Sequence, residues 1–181
     1  MDDSPGFSVK YDSYMPHASV KTIRDLIYWE YAKLIAGSTL GDRKNYGFVM
    51  HTYHRLKEGT SHPSAILREN KMLIEGDKVC AYCQKATDDL EWEHIIPKAK
   101  IVIDTIDNQV LACRSCNASK GGRDPFEWYG LECRYEIPRL VLGKYLKLIY
   151  DIHEKQGTLD SAGLRDGEKL NVYDLGMIFS P

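Results

Sequence analysis

Residues 80–123 read CAYCQKATDDLEWEHIIPKAKIVIDTIDNQVLACRSCNASKGGR, and this stretch decides the fold. Two Cys-x-x-Cys pairs, Cys80/Cys83 and Cys113/Cys116, enclose 29 residues. Two thiolates on one tight turn can face a single ion, and two such turns complete a tetrahedral S₄ set. Soft sulfur ligands favour zinc over magnesium or calcium. Four protein ligands close the coordination shell, so the expected ion is structural. Free buried cysteines and an iron–sulfur cluster are the alternatives that this spacing leaves open. The fifth cysteine, Cys133, reads as a small buried hydrophobe. The acidic start of the sequence has no apolar run and is not expected to be a signal peptide. Paired cysteines then read as a metal site rather than a disulfide framework, and the expected location is cytoplasmic.

Between the cysteine pairs lies Glu93-His94-Ile95-Ile96-Pro97, followed by Asn108. The second pair continues directly into Asn117 and Lys120-Gly121. Leu90–Glu93 has a strand-like composition. The segment from Asn117 towards Arg123 starts as a helix that Gly121-Gly122 would shorten. Adjacent strand residues point to opposite faces. A bend or strand end is therefore expected at Glu93-His94 if both are to serve one site, and Pro97 suits an irregular exit.

Taken together, the first CxxC, the acidic-His-x-x-Pro stretch, the Asn and the CxxCNxxKG ending resemble the HNH family of ββα-metal nucleases. The likeness is to the subgroup held by a four-cysteine zinc. It implies an α+β fold: a small zinc-stapled ββα-metal HNH core flanked by N-terminal and C-terminal helices. By the same resemblance, His94 is the general base, a role that an imidazole titrating near neutrality suits. Glu93 and Asn117 would hold one catalytic divalent ion, magnesium or manganese, and Asn108 would orient the loop and the base. Glu91 is the nearest competitor to Glu93 as a ligand. Lys120 and Arg123 are expected at phosphate, with solvated surface cations as the alternative. The chain departs from the commonest HNH wording in having Asn at the third motif position and Glu before the His. Neither change removes a needed chemical group.

Outside this stretch the pattern is helical. Ser19 is an expected cap for a helix carrying Val20, Ile23, Ile27, Tyr31 and Leu34, stopped by Gly37. Asp42 would cap a second helix with Tyr46, Val49, Tyr53 and Leu56 on one face. A third would run from Pro63 to Gly76 with Ile66, Leu67 and Ile74 inward. Pro138 suits the first turn of a later helix with Val141, Tyr145, Leu148 and Ile152 on one face, ended by Gly157. An Asp160/Ser161 cap signal and an apolar patch from Val172 to Phe179 follow. Trp92 and Trp128 are expected to pack around the zinc core. His51 and His54 read as ordinary surface residues. The organisation expected is a helical N-terminal region (1–76), the HNH core (77–133) and a C-terminal helical region packed on it (134–181).

The composition is 43% hydrophobic and 28% charged, as in globular chains, with no run long enough to span a bilayer. The net charge of −2 argues against a partner held by charge alone. Locally the balance reverses: from His94 to Arg123 there are five cations and two acids, a net +3. The expected activity is hydrolysis of DNA phosphodiesters by a compact restriction-type endonuclease, with a homodimer cutting both strands. A non-catalytic zinc module, an RNA-cutting enzyme and a nicking enzyme on the same core are the alternatives.

Overall fold

The computed structural model describes residues 16–162 and 169–179. Most of the N-terminal arm therefore lies outside the described residues. Six α-helices and one two-stranded antiparallel sheet make an α+β fold among them. Helix α1 spans Ile23–Leu40, α2 Tyr46–Lys57 and α3 Leu67–Glu75. Strands β1 (Leu90–His94) and β2 (Gln109–Cys113) form the sheet, and α4 (Arg114–Lys120) follows β2 directly. Helices α5 (Pro125–Cys133) and α6 (Arg139–Gln156) complete the set.

Helix α1 is capped by Thr22, whose hydroxyl accepts from the Asp25 amide, a contribution of about 1 kcal/mol. The cap lies three residues beyond the expected Ser19. The helix also runs through Gly37 and stops at Gly41, whose φ of 72° suits glycine. Ile23, Leu26, Ile27, Tyr31 and Leu34 are buried, because α1 is packed between α2 and α6. Helix α2 is capped by Asn45 rather than Asp42, and Tyr46 at its start is exposed.

The inward face of α3 differs from the expected one. Leu67 and Ile74 are exposed, whereas Glu69, Asn70 and Leu73 are buried. Polar contacts set this face: Lys147 of α6 pairs with Glu69, and Asn70 donates to Asp107 at 2.6 Å. A buried pair costs less than either charge buried alone, so Leu67 yields its inward place. Pro138 precedes α6 and Gly157 ends it at φ 70°, with Val141, Tyr145, Leu148 and Ile152 inward as their spacing requires. Among the described residues Asp160 caps no helix; it pairs with Arg24 at 2.9 Å. The tail instead forms a 3₁₀ turn, Val172–Leu175, with an Asn171/Asp174 capping box.

One apolar cluster runs from Val20 through the hairpin to Leu175. Helix α6 fastens it to the sheet: Lys144 is buried and donates to the carbonyls of Ile106 and Gln109 at 2.5 and 2.7 Å. That fixes the start of β2 against a rigid helix. No described helix is long and apolar enough to cross a membrane.

Candidate active site and metal centre

The four sulfurs of Cys80, Cys83, Cys113 and Cys116 all lie within 4.8 Å of one another. A zinc ion with Zn–S bonds of about 2.3 Å needs sulfurs about 3.8 Å apart at tetrahedral geometry. Cys83 and Cys113 stand 3.9 Å apart, so the donor set fits zinc. The first turn is shaped by Gln84, at φ 62°, whose amide donates to the Cys80 carbonyl. The Ala81 amide donates to Leu111 at 2.7 Å, which ties this turn to β2. Hydrogen bonds from Ser115 and the Cys116 amide hold the Cys113 thiol down to about 6, while burial and the neighbouring sulfurs push Cys116 up. Four clustered thiols cannot all ionise unaided; a cation among them stabilises all four thiolates.

The hairpin pairs Glu91 with Ala112, Trp92 with Leu111, Glu93 with Val110 and His94 with Gln109. This regular register continues to His94, so no bend brings Glu93 and His94 to one face. Glu91 and Glu93 reach residues of α4; His94 lies on the opposite face beside its partner Gln109.

On that face the imidazole is held through Nε2 by the Asp104 carboxylate, to which Gln109 beside it also donates. His94 Nε2 lies 2.8 Å from Asp104 Oδ1 and 3.3 Å from Gln109 Nε2. Lys98 donates to the other Asp104 oxygen at 3.0 Å. These bonds, Lys98 first and His94 second, hold the Asp104 carboxyl below its ordinary range. The His94 side chain is 18% exposed, which leaves it open to water. With a carboxylate at Nε2, the favoured neutral tautomer carries its proton there and presents a lone pair at Nδ1.

Asn108 is fully buried and braces the loop between the strands. Its Oδ1 accepts from the Ile96 amide at 2.9 Å, and its Nδ2 donates to the carbonyls of Ile96 and Ile103. Ile96 follows His94 by two residues, so these bonds set the path of the chain leaving the imidazole.

Residues 80–123 match the family model for HNH endonucleases. The flanking helices lie outside the match. Comparison with curated proteins gives no match, and neither does comparison with solved structures.

Within the HNH segment, two assignments made from sequence meet a different geometry. Glu93 is buried, with its oxygens taken by the Tyr82 hydroxyl at 2.5 Å and Lys120 Nζ at 2.6 Å. It is not paired with Asn117. Asn117 Nδ2 instead reaches Glu91 Oε1 at 2.8 Å, so the carboxylate–amide pair on the helix face is Glu91 with Asn117. The reason is strand alternation: Glu91 and Glu93 share a face, and each meets the residue of α4 at its own level. Lys120 is wholly buried and also donates to the His94 carbonyl at 2.9 Å, so it is not presented to a phosphate. Burial depresses its pKa, opposed by Glu93. Arg123 is exposed, with donors turned to the Ser119 and Lys120 carbonyls.

Trp92 is 53% exposed on the His94 face rather than packed at the zinc cluster. Trp128 does pack there, edge-on to Tyr82 at 5.0 Å. Cys133 is only half-buried. Asp104, Gln109 and Tyr82 were not singled out from sequence. The loop that carries Asp104 has no periodicity, and only the strand register puts Gln109 opposite His94.

Proposed function

We propose that this protein is a divalent-metal-dependent endonuclease that hydrolyses DNA phosphodiester bonds, with His94 as general base. The observation that carries the reading is the solvent-accessible imidazole held at Nε2 by Asp104, inside a segment that matches HNH endonucleases. In this reading Nδ1 takes a proton from the attacking water, Nε2–H stays on the Asp104 carboxylate, and the imidazolium that forms is stabilised there. Asn108 braces the chain that leaves the base. The zinc thiolates fasten the open end of the hairpin, where Cys113 ends β2, to the first cysteine turn and take no part in chemistry.

A magnesium or manganese ion, when bound, would stabilise charge on the phosphate and the leaving oxygen. Glu91 and Asn117 fit a hard cation better than Glu93 does, because both Glu93 oxygens already hold internal donors. The restriction-type assignment rests on the size of the helical flanks relative to the core. A homodimer is the arrangement that would put one site on each strand.

The test is incubation of plasmid DNA with zinc-loaded protein and added magnesium or manganese, comparing wild type with His94→Ala. Cleavage by wild type and its loss in the variant is the expected result. Equal nicking by both removes His94 from the chemistry. Parallel RNA substrates, sequenced product ends and sedimentation separate the RNA-cutting, nicking and monomeric cases.

A further inference from the structure

We infer that the pocket where the C-terminal end of α1, the turn through Arg43 and Lys44, and the first turn of α6 meet is a phosphate-binding site. We further infer that the phosphate it takes belongs to the backbone of the nucleic-acid substrate. The second statement rests on the nuclease reading; the first does not.

The pocket is a cavity of about 470 Å³ whose lining includes Gly37, Ser38, Arg43, Lys44, Tyr135 and Arg139. Three cationic side chains point to it. Among the described residues, no carboxylate oxygen lies within 4.0 Å of any of them, although the chain as a whole is slightly acidic. Two acids lie nearby and are otherwise engaged. Asp42 lines the cavity and accepts the Lys44 amide at 2.8 Å, and Glu30 pairs with Lys33 at 2.5 Å.

The cations are held in place by neutral partners. Arg43 donates one N–H to the Tyr135 carbonyl at 3.1 Å. Arg139 donates to the Ser38 hydroxyl at 2.6 Å and to the weak acceptor Met72 Sδ at 3.1 Å. A guanidinium has five N–H donors, so both forks keep most of theirs for a ligand. Lys44 Nζ stands 4.9 Å from the centre of the Tyr135 ring, a contact that orients the ammonium without neutralising it. Gly37 makes room for the arrangement: a Cβ there would sit 2.5 Å from Arg43 Cγ. Burial sets the main cost of the Arg43 charge, Glu30 offsets part of it, and repulsion from Arg139 adds to it. An anion between them relieves both costs. Paired forks in this geometry suit the oxygens of a phosphate.

The pocket is connected to the imidazole by rigid structure. Arg139 and Lys144 are five residues apart on α6, about 7.5 Å along its axis. Lys144 holds the Gln109 carbonyl, and the Gln109 side chain reaches His94. The pocket and the imidazole thereby belong to one framework, joined through α6 and the start of β2. Local cations of this kind supply the backbone affinity that the net charge does not.

The test uses zinc-loaded, full-length protein without magnesium. Inorganic phosphate is titrated in ¹H–¹⁵N spectra, and a labelled DNA duplex is titrated by fluorescence anisotropy over a range of salt. Wild type, Arg43→Gln/Arg139→Gln, Lys44→Gln and the control Lys155→Gln at the far end of α6 are compared. Phosphate should shift the Gly37, Gly41 and Lys44 amides in wild type and not in the double variant. The double variant should bind duplex about 10- to 100-fold more weakly at low salt, with a log K against log salt slope shallower by about one to two units. Lys155→Gln should match wild type. If circular dichroism shows the double variant unfolded, the exposed Lys44→Gln carries the test, with a slope shallower by about one unit. Unmoved pocket amides overturn the phosphate site even if wild type cleaves DNA, whereas shifted amides with a double-variant slope equal to wild type overturn its assignment to a nucleic-acid strand. Pocket shifts with phosphate in a protein that neither binds nor cuts nucleic acid keep the phosphate site and overturn its assignment to a nucleic-acid strand.

Discussion

His94 and Asp104 form a direct side-chain pair, Nε2 to Oδ1 at 2.8 Å, although ten residues separate them in the chain. The pair fixes the ring and its tautomer, so Asp104 is a positioning residue in the proposed chemistry. Asp104→Asn should lower kcat by roughly 10²-fold with little change in KM, while His94→Ala should lower it by about 10²–10⁴-fold. Steady-state kinetics on a short duplex checks both. Equal activity of Asp104→Asn and wild type would leave the pair without a catalytic role. The depressed Asp104 carboxyl also sets a direction: its contribution to the folded state is present above the ordinary carboxylate pKa and is lost as pH falls through the lower folded value.

Lys120 should behave as a structural cation. Its ammonium is fully buried against Glu93 and the His94 carbonyl. Lys120→Met leaves the Glu93 carboxylate buried without its partner, at a cost of about 3–5 kcal/mol. Glu93→Gln/Lys120→Met should recover part of that loss, because no lone charge remains inside. Urea denaturation of the single and double variants reads the difference. A Lys120→Met protein of unchanged stability but weakened DNA binding would put the ammonium at the surface instead.

The sequence made the metal-binding cysteines legible because paired spacing carries its own geometry. It also showed α6, whose Pro138 and Gly157 punctuation and inward Val141, Tyr145 and Leu148 all agree. It misled at α3, where periodicity placed Leu67 inward and the Glu69–Lys147 pair turned the helix. That contact joins residues 78 apart, and no local pattern reports it. The same limit applies at the site. The HNH resemblance singled out His94, Glu93 and Asn117, but strand alternation sent Glu93 to Lys120 and left Asn117 with Glu91. Asp104 became visible only once the loop braced by Asn108 was in place.

Lys144 links the flanking helices to the hairpin and gives a pH signature. Burial lowers its pKa to about 8. Between that value and the ordinary lysine value of about 10.4, the unfolded chain binds more protons than the folded one. The contribution of this group to stability therefore rises as pH rises through that window. Denaturation midpoints measured from pH 7.5 to 10.5 should show this rise in wild type, and Lys144→Met should flatten it. A variant with the same slope as wild type would mean that the ammonium is solvated and does not clamp the carbonyls of Ile106 and Gln109.

Removing the structural ion should do damage of a different kind from removing the base. Four sulfurs within 4.8 Å hold the first turn, the end of β2 and the start of α4 together. Zinc binding at such a site supplies on the order of 10 kcal/mol to the folded state. Cys80→Ser, or a strong chelator, should therefore unfold the HNH segment and remove the Trp128–Tyr82 packing beside it. His94→Ala should keep its zinc and its far-ultraviolet circular dichroism, because its ring lies on the open face of β1. Metal content by mass spectrometry and thermal melts of both variants measure the contrast. A folded Cys80→Ser protein beside an unfolded His94→Ala protein would reverse the division of labour between the sulfur cluster and the imidazole.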